Sequence, residues 1–285
     1  MNKRNIVKQD YQLVNAKYKL NTSEIKFIMT VLAQIKKEDT IFMKYHISVL
    51  ELEEKFQVEQ KYSRLKQFAK KLMSKPLEVK TERGWLVANW FSDIEYITGE
   101  GRFEVTISEK LKPYLLNLQN NFVKSNLKYI LPLTSNYSIR IYQLLKEYEN
   151  LTKRTFKVEE LQEILQVPKS LTRYSDFKRK VIKVAEKELI NNCDIFFEYE
   201  EIKTGRKVTE LLFRIKDNTH FLKPLYINAE VKSNLNIYIG KKLKTKTGDK
   251  EISFIQQEKT YLKINFIDGG YAQIETIEIL EKAII

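Results

Sequence analysis

Residues 174–190 carry the chemistry that stands out first. Wound at 3.6 residues per turn, Tyr174, Phe177, Val181, Ile182, Val184, Ala185 and Leu189 share one side, while Ser175, Asp176, Arg179, Lys180, Lys183, Glu186 and Lys187 share the other. An apolar back fixes such a helix on its domain, and hydrogen-bonding heads face outward, as base reading in a DNA major groove requires. Arg179 is the leading base reader, because a guanidinium grips guanine through two parallel bonds. Ser175 and Lys183 join it for base contact, while Arg173, Lys180 and Lys187 lie toward the flank and suit phosphate. A second basic cluster, Lys203-Thr204-Gly205-Arg206-Lys207, has the glycine of a hairpin tip and suits backbone or minor-groove contact through Lys203, Arg206 and Lys207. Any one of these lysines reads equally well as a solvated surface residue. Their grouping on one helix and one tip is what points to double-stranded DNA.

Other chemistries are poorly served. Only 8 glycines occur, and none falls in a Gly-x-x-x-x-Gly-Lys-Ser/Thr phosphate loop. His46 and His220 lack the paired histidines of a metal-dependent nicking site or a zinc protease. The tyrosines read as core and joint residues, since a tyrosine nucleophile for DNA nicking wants metal ligands nearby. Glu53-Glu54 and Glu159-Glu160 read as solvated helix faces. The single cysteine, Cys193, forms neither an intramolecular disulfide nor a cysteine zinc site, and reads as a buried small apolar residue in a reducing compartment. No enzyme activity, cofactor or metal is expected.

The balance of 50 Lys+Arg against 37 Asp+Glu leaves a net charge of +13, a field that draws polyanions and weakens with salt. Lysine-rich composition alone also produces such a balance, so the placement of the charge decides. The start, Met1-Asn2-Lys3-Arg4, lacks the apolar core of a signal peptide, and no stretch approaches the length of a membrane span. A cytoplasmic protein without membrane contact is expected.

The elements that must position these residues repeat. Cap-type residues from Asn21 lead into Ile25, Ile28, Leu32 and Ile35 at helical spacing. A short strand over residues 41–47, a helix capped by Ser48, and an amphipathic helix over residues 62–73 follow, the last with Lys66, Lys70 and Lys71 outside and suited to DNA backbone. Pro76 stops it, and residues 77–108 read as strands broken at Glu82-Arg83-Gly84 and Gly99-Glu100-Gly101. After a short helix over residues 109–118 and an Asn-rich joint, the order returns: a helix behind Ser135, a strand over residues 155–158, a helix over 159–165, a turn over 168–172, the long helix, and strands over 195–199 and 211–215. Leu52-Glu53-Glu54-Lys55-Phe56-Gln57-Val58 nearly recurs as Leu161-Gln162-Glu163-Ile164-Leu165-Gln166-Val167, and Tyr62-Ser63 as Tyr174-Ser175.

The expected fold is α+β, tandem winged-helix (helix-turn-helix) domains with a small β-rich C-terminal appendage. Its divisions are 1–124, an N-terminal unit for dimerisation and backbone contact; 125–227, the principal DNA reader; and 228–285, a basic appendage of unassigned role. In the last, strands over residues 235–239, 252–255 and 261–267 flank a basic stretch, 241–250, open to reading as a DNA-touching loop or a solvated linker. The first unit's tip carries Glu100, which would repel phosphate, so the second unit should lead in reading.

At Leu131-Pro132-Leu133-Thr134-Ser135-Asn136-Tyr137-Ser138-Ile139-Arg140-Ile141-Tyr142-Gln143-Leu144-Leu145-Lys146 and at Tyr174-Ser175-Asp176-Phe177-Lys178-Arg179 the chain resembles the iteron-binding plasmid replication initiators. Glu188-Leu189-Ile190-Asn191, and Gly205-Arg206-Lys207-Val208 with Phe213, continue the resemblance, which covers residues 10–217 and is tightest in the second unit. It implies paired winged helices that bind direct repeats in a replication origin as monomers. It also implies dimers that repress their own gene at an operator inverted repeat through the first unit, and recruitment of host initiator and helicase. A transcriptional repressor of the same fold predicts operator binding without origin dependence. A strand-nicking initiator enzyme predicts metal-dependent cleavage and a tyrosyl adduct, for which the histidine pair is missing.

Overall fold

The computed structural model describes residues 5–51, 62–218, 238–245, 248–257, 262–268 and 271–274. Two units separate by their contacts, residues 1–218 and 219–285, and each is taken by itself. Both winged helices therefore lie in the first unit. The expected boundary at 227/228 falls outside the described residues.

The first winged half begins with a strand that periodicity did not indicate. Strand β1 (Ile6–Asp10) leads into α1 (Tyr11–Val14) and the two-residue β2 (Lys17–Tyr18). Helix α2 (Thr22–Leu32) is started by a reciprocal cap: Asn21 accepts from the Glu24 amide at 2.9 Å, and the Glu24 carboxylate accepts from the Asn21 amide at 2.7 Å. Strand β3 (Lys44–Ser48) is shorter than expected, because Ile41 and Met43 are 58% and 57% exposed and have no apolar face to join. Ser48 accepts from the Glu51 amide at 3.1 Å, as a cap should; the helix it opens is described over residues 49–51, and the first copy of the repeat at residues 52–58 lies outside the described residues. Helix α3 (Tyr62–Met73) buries Leu65 and Leu72, and strands β4 (Leu77–Thr81), β5 (Gly84–Ala88), β6 (Phe91–Ile97) and β7 (Arg102–Ile107) follow. A 3₁₀ turn over Glu109–Leu111 and α4 (Lys112–Leu115) replace the longer expected helix; extended Leu116 and left-handed Asn117 (φ 53°) end it. Strand β8 (Phe122–Asn126) then pairs back with β1, and α5 (Leu127–Ile130) leads to the second half.

The second half holds α6 (Asn136–Lys146), capped by Ser135, then β9 (Lys153–Lys157) and α7 (Val158–Ile164). Helix α8 (Tyr174–Phe177) runs through a π-helical turn (Lys178–Ile182) into α9 (Lys183–Asn192), and strands β10 (Ile195–Thr204) and β11 (Lys207–Asp217) close the half. Sheet order makes the repeat concrete. The first half has β3-β7-β6 and the second β9-β11-β10, all antiparallel. The first half also carries an inserted β4–β5 hairpin, paired to β2, between its third helix and its wing.

Aromatic side chains fill both cores. Phe27 meets Phe68, Phe91 and Phe103 edge to face, with centroids 5.3, 5.8 and 6.1 Å away. Phe213 sits at 5.1 Å from Phe197 and 5.8 Å from Phe156. Such pairs add about 0.5–1.5 kcal/mol beyond area burial. Helix α6 is enclosed on every side, residues 138–145 all being buried.

In the second unit, β12 (Lys242–Thr245), β13 (Gly248–Gln257), β14 (Leu262–Phe266) and β15 (Tyr271–Ile274) form an antiparallel meander in that order. Leu243, Ile252, Leu262, Ile264, Phe266 and Ile274 make its core with Tyr238. Within the basic stretch 241–250, residues 242–245 and 248–250 are strand, and 246–247 lie outside the described residues. Lys242 and Lys244 alternate around buried Leu243 on β12, and both lysines face acids of β13 in the cross-strand register, Glu251 and Asp249. Residues 238–240 form a turn where a strand was expected; 235–237 lie outside the described residues.

Candidate nucleic-acid interface

The turn before the long helix is held from inside. Gln162 of α7 donates to the Thr172 carbonyl at 3.0 Å, and Gln166 takes a left-handed φ of 49°. That tie sets the angle between α7 and residues 174–192, the second and third helices of the winged unit. Phe177, Val181, Ile182, Ala185 and Leu189 are fully buried behind the long helix. Ideal helical winding predicts Tyr174 and Val184 inside too, but both are only half-buried. The π-helical turn spans Arg179 and Lys180, which project outward, and Val181 and Ile182, which are buried as ordinary winding also predicts.

Ser175, Arg179, Lys180, Lys183 and Lys187 are exposed on the outer face, with Arg173 just ahead of them. Arg179 is held by Asp176 at 2.9 Å, and Lys183 by Glu186 at 2.7 Å, each one turn away. Lys183 also lies 5.1 Å from the Tyr199 ring centre. Its hydrogen bond to Glu186 holds its ammonium above the ordinary lysine value.

The wing stands beside this face. Lys203 and Arg206 are exposed at a tip turned by Gly205 (φ +62°), where Thr204 pairs with Lys207. Lys207 reaches back 2.7 Å to Glu159 of α7, whose carboxyl it lowers. Below the tip, Glu201 of β10 takes hydrogen bonds from the Tyr174 hydroxyl and from Lys178, both at 2.7 Å. Burial first and that bond second push the Tyr174 phenol well up, so it stays protonated. Glu201 and Lys178 escaped the sequence reading, which had no means of pairing a wing strand with a helix start. A strand glutamate facing an aromatic-rich helix start is the only signal present.

In the first half, Lys66, Lys70 and Lys71 are exposed on α3, the counterpart of residues 174–192. They lie apart in sequence and element from the second half's cluster. The tip at Gly99 and Gly101 (φ 91° and 58°) carries Glu100 in an ion pair with Arg102 at 2.8 Å, so its carboxylate is neutralised in place. His46 stands 3.8 Å from Glu104, and His220 lies outside the described residues. Cys193 is buried, its thiol raised chiefly by burial. Among the described residues no three His, Cys, Asp or Glu side chains gather as for a metal, and no helix is long and apolar enough to cross a membrane.

A helical unit with a three-stranded antiparallel sheet, its strand order repeated in both halves, defines a tandem winged-helix protein. The family model described as "Initiator Replication protein, WH1" matches residues 6–146, and that described as "Initiator Rep protein, WH2" matches 157–215. The chain belongs to this family of replication initiators. It is 24% identical over 243 residues to a replication initiation protein of Escherichia coli, covering 78% of this chain and 73% of that one. It is 29% identical over 161 residues to the PI protein of Escherichia coli, covering 50% of this chain and 53% of that one. The crystal structure of the Pi initiator protein in complex with iteron DNA superposes with a TM-score of 0.61 at 21% identity, over 75% of this chain and 98% of that one. The likeness lies in the fold. The family models stop at residue 215, ahead of the C-terminal meander.

Proposed function

We propose that the chain is a plasmid replication initiator that binds repeated double-stranded DNA sites in an origin. Residues 174–192 enter the major groove, with Ser175, Arg179 and Lys183 on base edges. Arg173, Lys180, Lys187, Lys203, Arg206 and Lys207 hold the phosphates around them. The first winged half adds backbone grip through Lys66, Lys70 and Lys71 and supplies the surface for dimers. Monomers serve the direct repeats, and dimers an inverted repeat at the chain's own promoter. The protein works without a cofactor in the cytoplasm, is not an enzyme, and hands strand opening to the host initiator and helicase. The divisions 1–124 and 125–227 express that split of labour. The observation that carries the reading is the exposed polar face of residues 174–192, fixed from behind by five fully buried side chains and flanked by a basic wing.

Footprinting on DNA flanking the gene tests it. Protection of direct repeats spaced by about two helical turns is expected, together with replication when the protein is supplied in trans to a plasmid carrying only that DNA. Protection without replication in a permissive host leaves a repressor instead.

A further inference from the structure

The two winged halves meet across a joint made of polar groups, and a charge lies at its centre. Arg140, on the enclosed helix α6, is 3% exposed. Its guanidinium donates to the carbonyls of Val14 and Ala16, both at 2.9 Å, and to Oε1 of Gln143 at 3.1 Å. It lies 4.1 Å over the Tyr18 ring. One terminal nitrogen of the planar group serves both carbonyls and the other serves Gln143, which fixes angle as well as distance. Water cannot replace those bonds at a buried site, so slippage between residues 14–18 and α6 would strand the charge.

A second fastening reaches the reading helix itself. Glu188 of α9 accepts from the amides of Thr134 and Ser135 at 3.2 and 3.3 Å, and from the Thr134 hydroxyl. The Thr134 carbonyl in turn accepts from the hydroxyl of Thr22, in the first turn of α2, at 2.8 Å. Asn136 donates to the Leu20 carbonyl at 3.0 Å. Helix α2 carries Phe27, which packs on Phe68 of α3. One short path of bonds and packed rings thus joins α3 to residues 174–192.

We propose that Arg140 and the Glu188-Thr134-Thr22 link are positioning residues for DNA recognition. They hold the outward faces of α3 and residues 174–192 at one spacing and angle, so the chain measures the separation of two contact segments within a repeat. This rests on the proposal that both halves touch DNA. Two linked contacts reinforce each other when the linkage matches the span, and the gain disappears when it does not.

The test uses the full chain, Thr22→Val, Glu188→Gln and Arg140→Gln, with Thr22→Ser as the conservative control. The probes are the repeat duplex protected by the wild type, the same duplex with one or two base pairs inserted between its protected segments, and the same duplex with the first half's segment randomised. Insertion is expected to weaken wild-type binding on the order of 10²-fold. Thr22→Val and Glu188→Gln should bind the intact repeat about tenfold more weakly and lose little more on insertion. On the randomised duplex they should match the wild type, and Thr22→Ser should behave as wild type throughout. Melting temperatures accompany each measurement; if Arg140→Gln fails to fold, the two peripheral variants decide. Variants that keep the wild-type insertion profile, or weaken equally on the randomised duplex, overturn the proposal, as does a wild type that protects the repeat but tolerates insertion. A wild type that protects no repeat removes the proposed function and this inference with it.

Discussion

Arg179 extends from the outer face of residues 174–192 with 71% of its side chain exposed, tethered among the described residues by Asp176. An exposed pair of this kind holds its partners by about 0–1 kcal/mol, so a guanine edge that accepts two bonds can draw the guanidinium away. Replacing Arg179 by alanine should cost about 1–3 kcal/mol at the specific site and relax preference at a single base pair. Lys203→Ala should weaken specific and random duplexes alike and lower the salt slope by about 1. Titrations of both variants on both duplexes at several salt concentrations check this; equal losses on the two duplexes for the Arg179 change would remove its base-reading role. Asp176→Asn should raise affinity for random DNA more than for the repeat, because it frees a cation for any phosphate; loss of affinity for the repeat instead would mean that Asp176 aligns Arg179. Cys193 is a different case. Its thiol is enclosed and held protonated, so a thiol reagent at neutral pH should label it only as fast as the chain unfolds. The outward cations were legible in sequence because helical winding sorts residues by side, and the buried thiol because a lone cysteine reads as a small apolar residue. Arg140 and Glu188 were not, because their partners lie over 100 and over 50 positions away.

Residues 174–192 and the wing act together because Glu201 ties one to the other. Its carboxyl is held below the ordinary value of 4.5 by Lys178 first and Tyr174 second. A carboxyl lowered in the folded state contributes stability that is complete above its unfolded value and disappears as pH falls through the folded one. The helix-to-wing tie should therefore persist from neutral pH down to about 4.5 and fail below it. Thermal melting against pH should show that acid limb flattened in Glu201→Gln; an unchanged limb would place the acid sensitivity elsewhere. Helix starts were legible at this scale wherever a cap and an apolar stripe coincided, as at Asn21 and Ser135. Strand β1 was missed because five residues of mixed polarity hold no period of their own. The π-helical turn was missed because ordinary winding already places Val181 and Ile182 inside, so the residue order carries no sign of it.

The molecule repeats one plan with unequal equipment. The second half couples its wing directly to its third helix, whereas the first interposes the β4–β5 hairpin, whose Trp85 and Val87 are exposed. Internal sequence repetition made the duplicated plan legible. How the halves lock together was not, since the lock consists of side chains meeting carbonyls, which leave no pattern in residue order. Each half has an aromatic centre, so Phe213→Ala should cost about 3–5 kcal/mol, read by denaturant unfolding. Because both halves fall in one compact unit, that loss should lower a single transition of both; two separated transitions would show that they unfold independently.

Strand β1 hydrogen-bonds β8, from Ile6 opposite Asn126 to Asp10 opposite Phe122. During synthesis at about 5–20 residues per second, the emerging N-terminal strand waits roughly 6–24 s for that partner. The first winged half cannot pair its leading strand until the ribosome has nearly reached the second half. A gene cut at codon 121 should yield a fragment with an unpaired leading strand, prone to aggregation. One cut after codon 130 should stay in solution, and centrifugation of the two products made by cell-free translation distinguishes them.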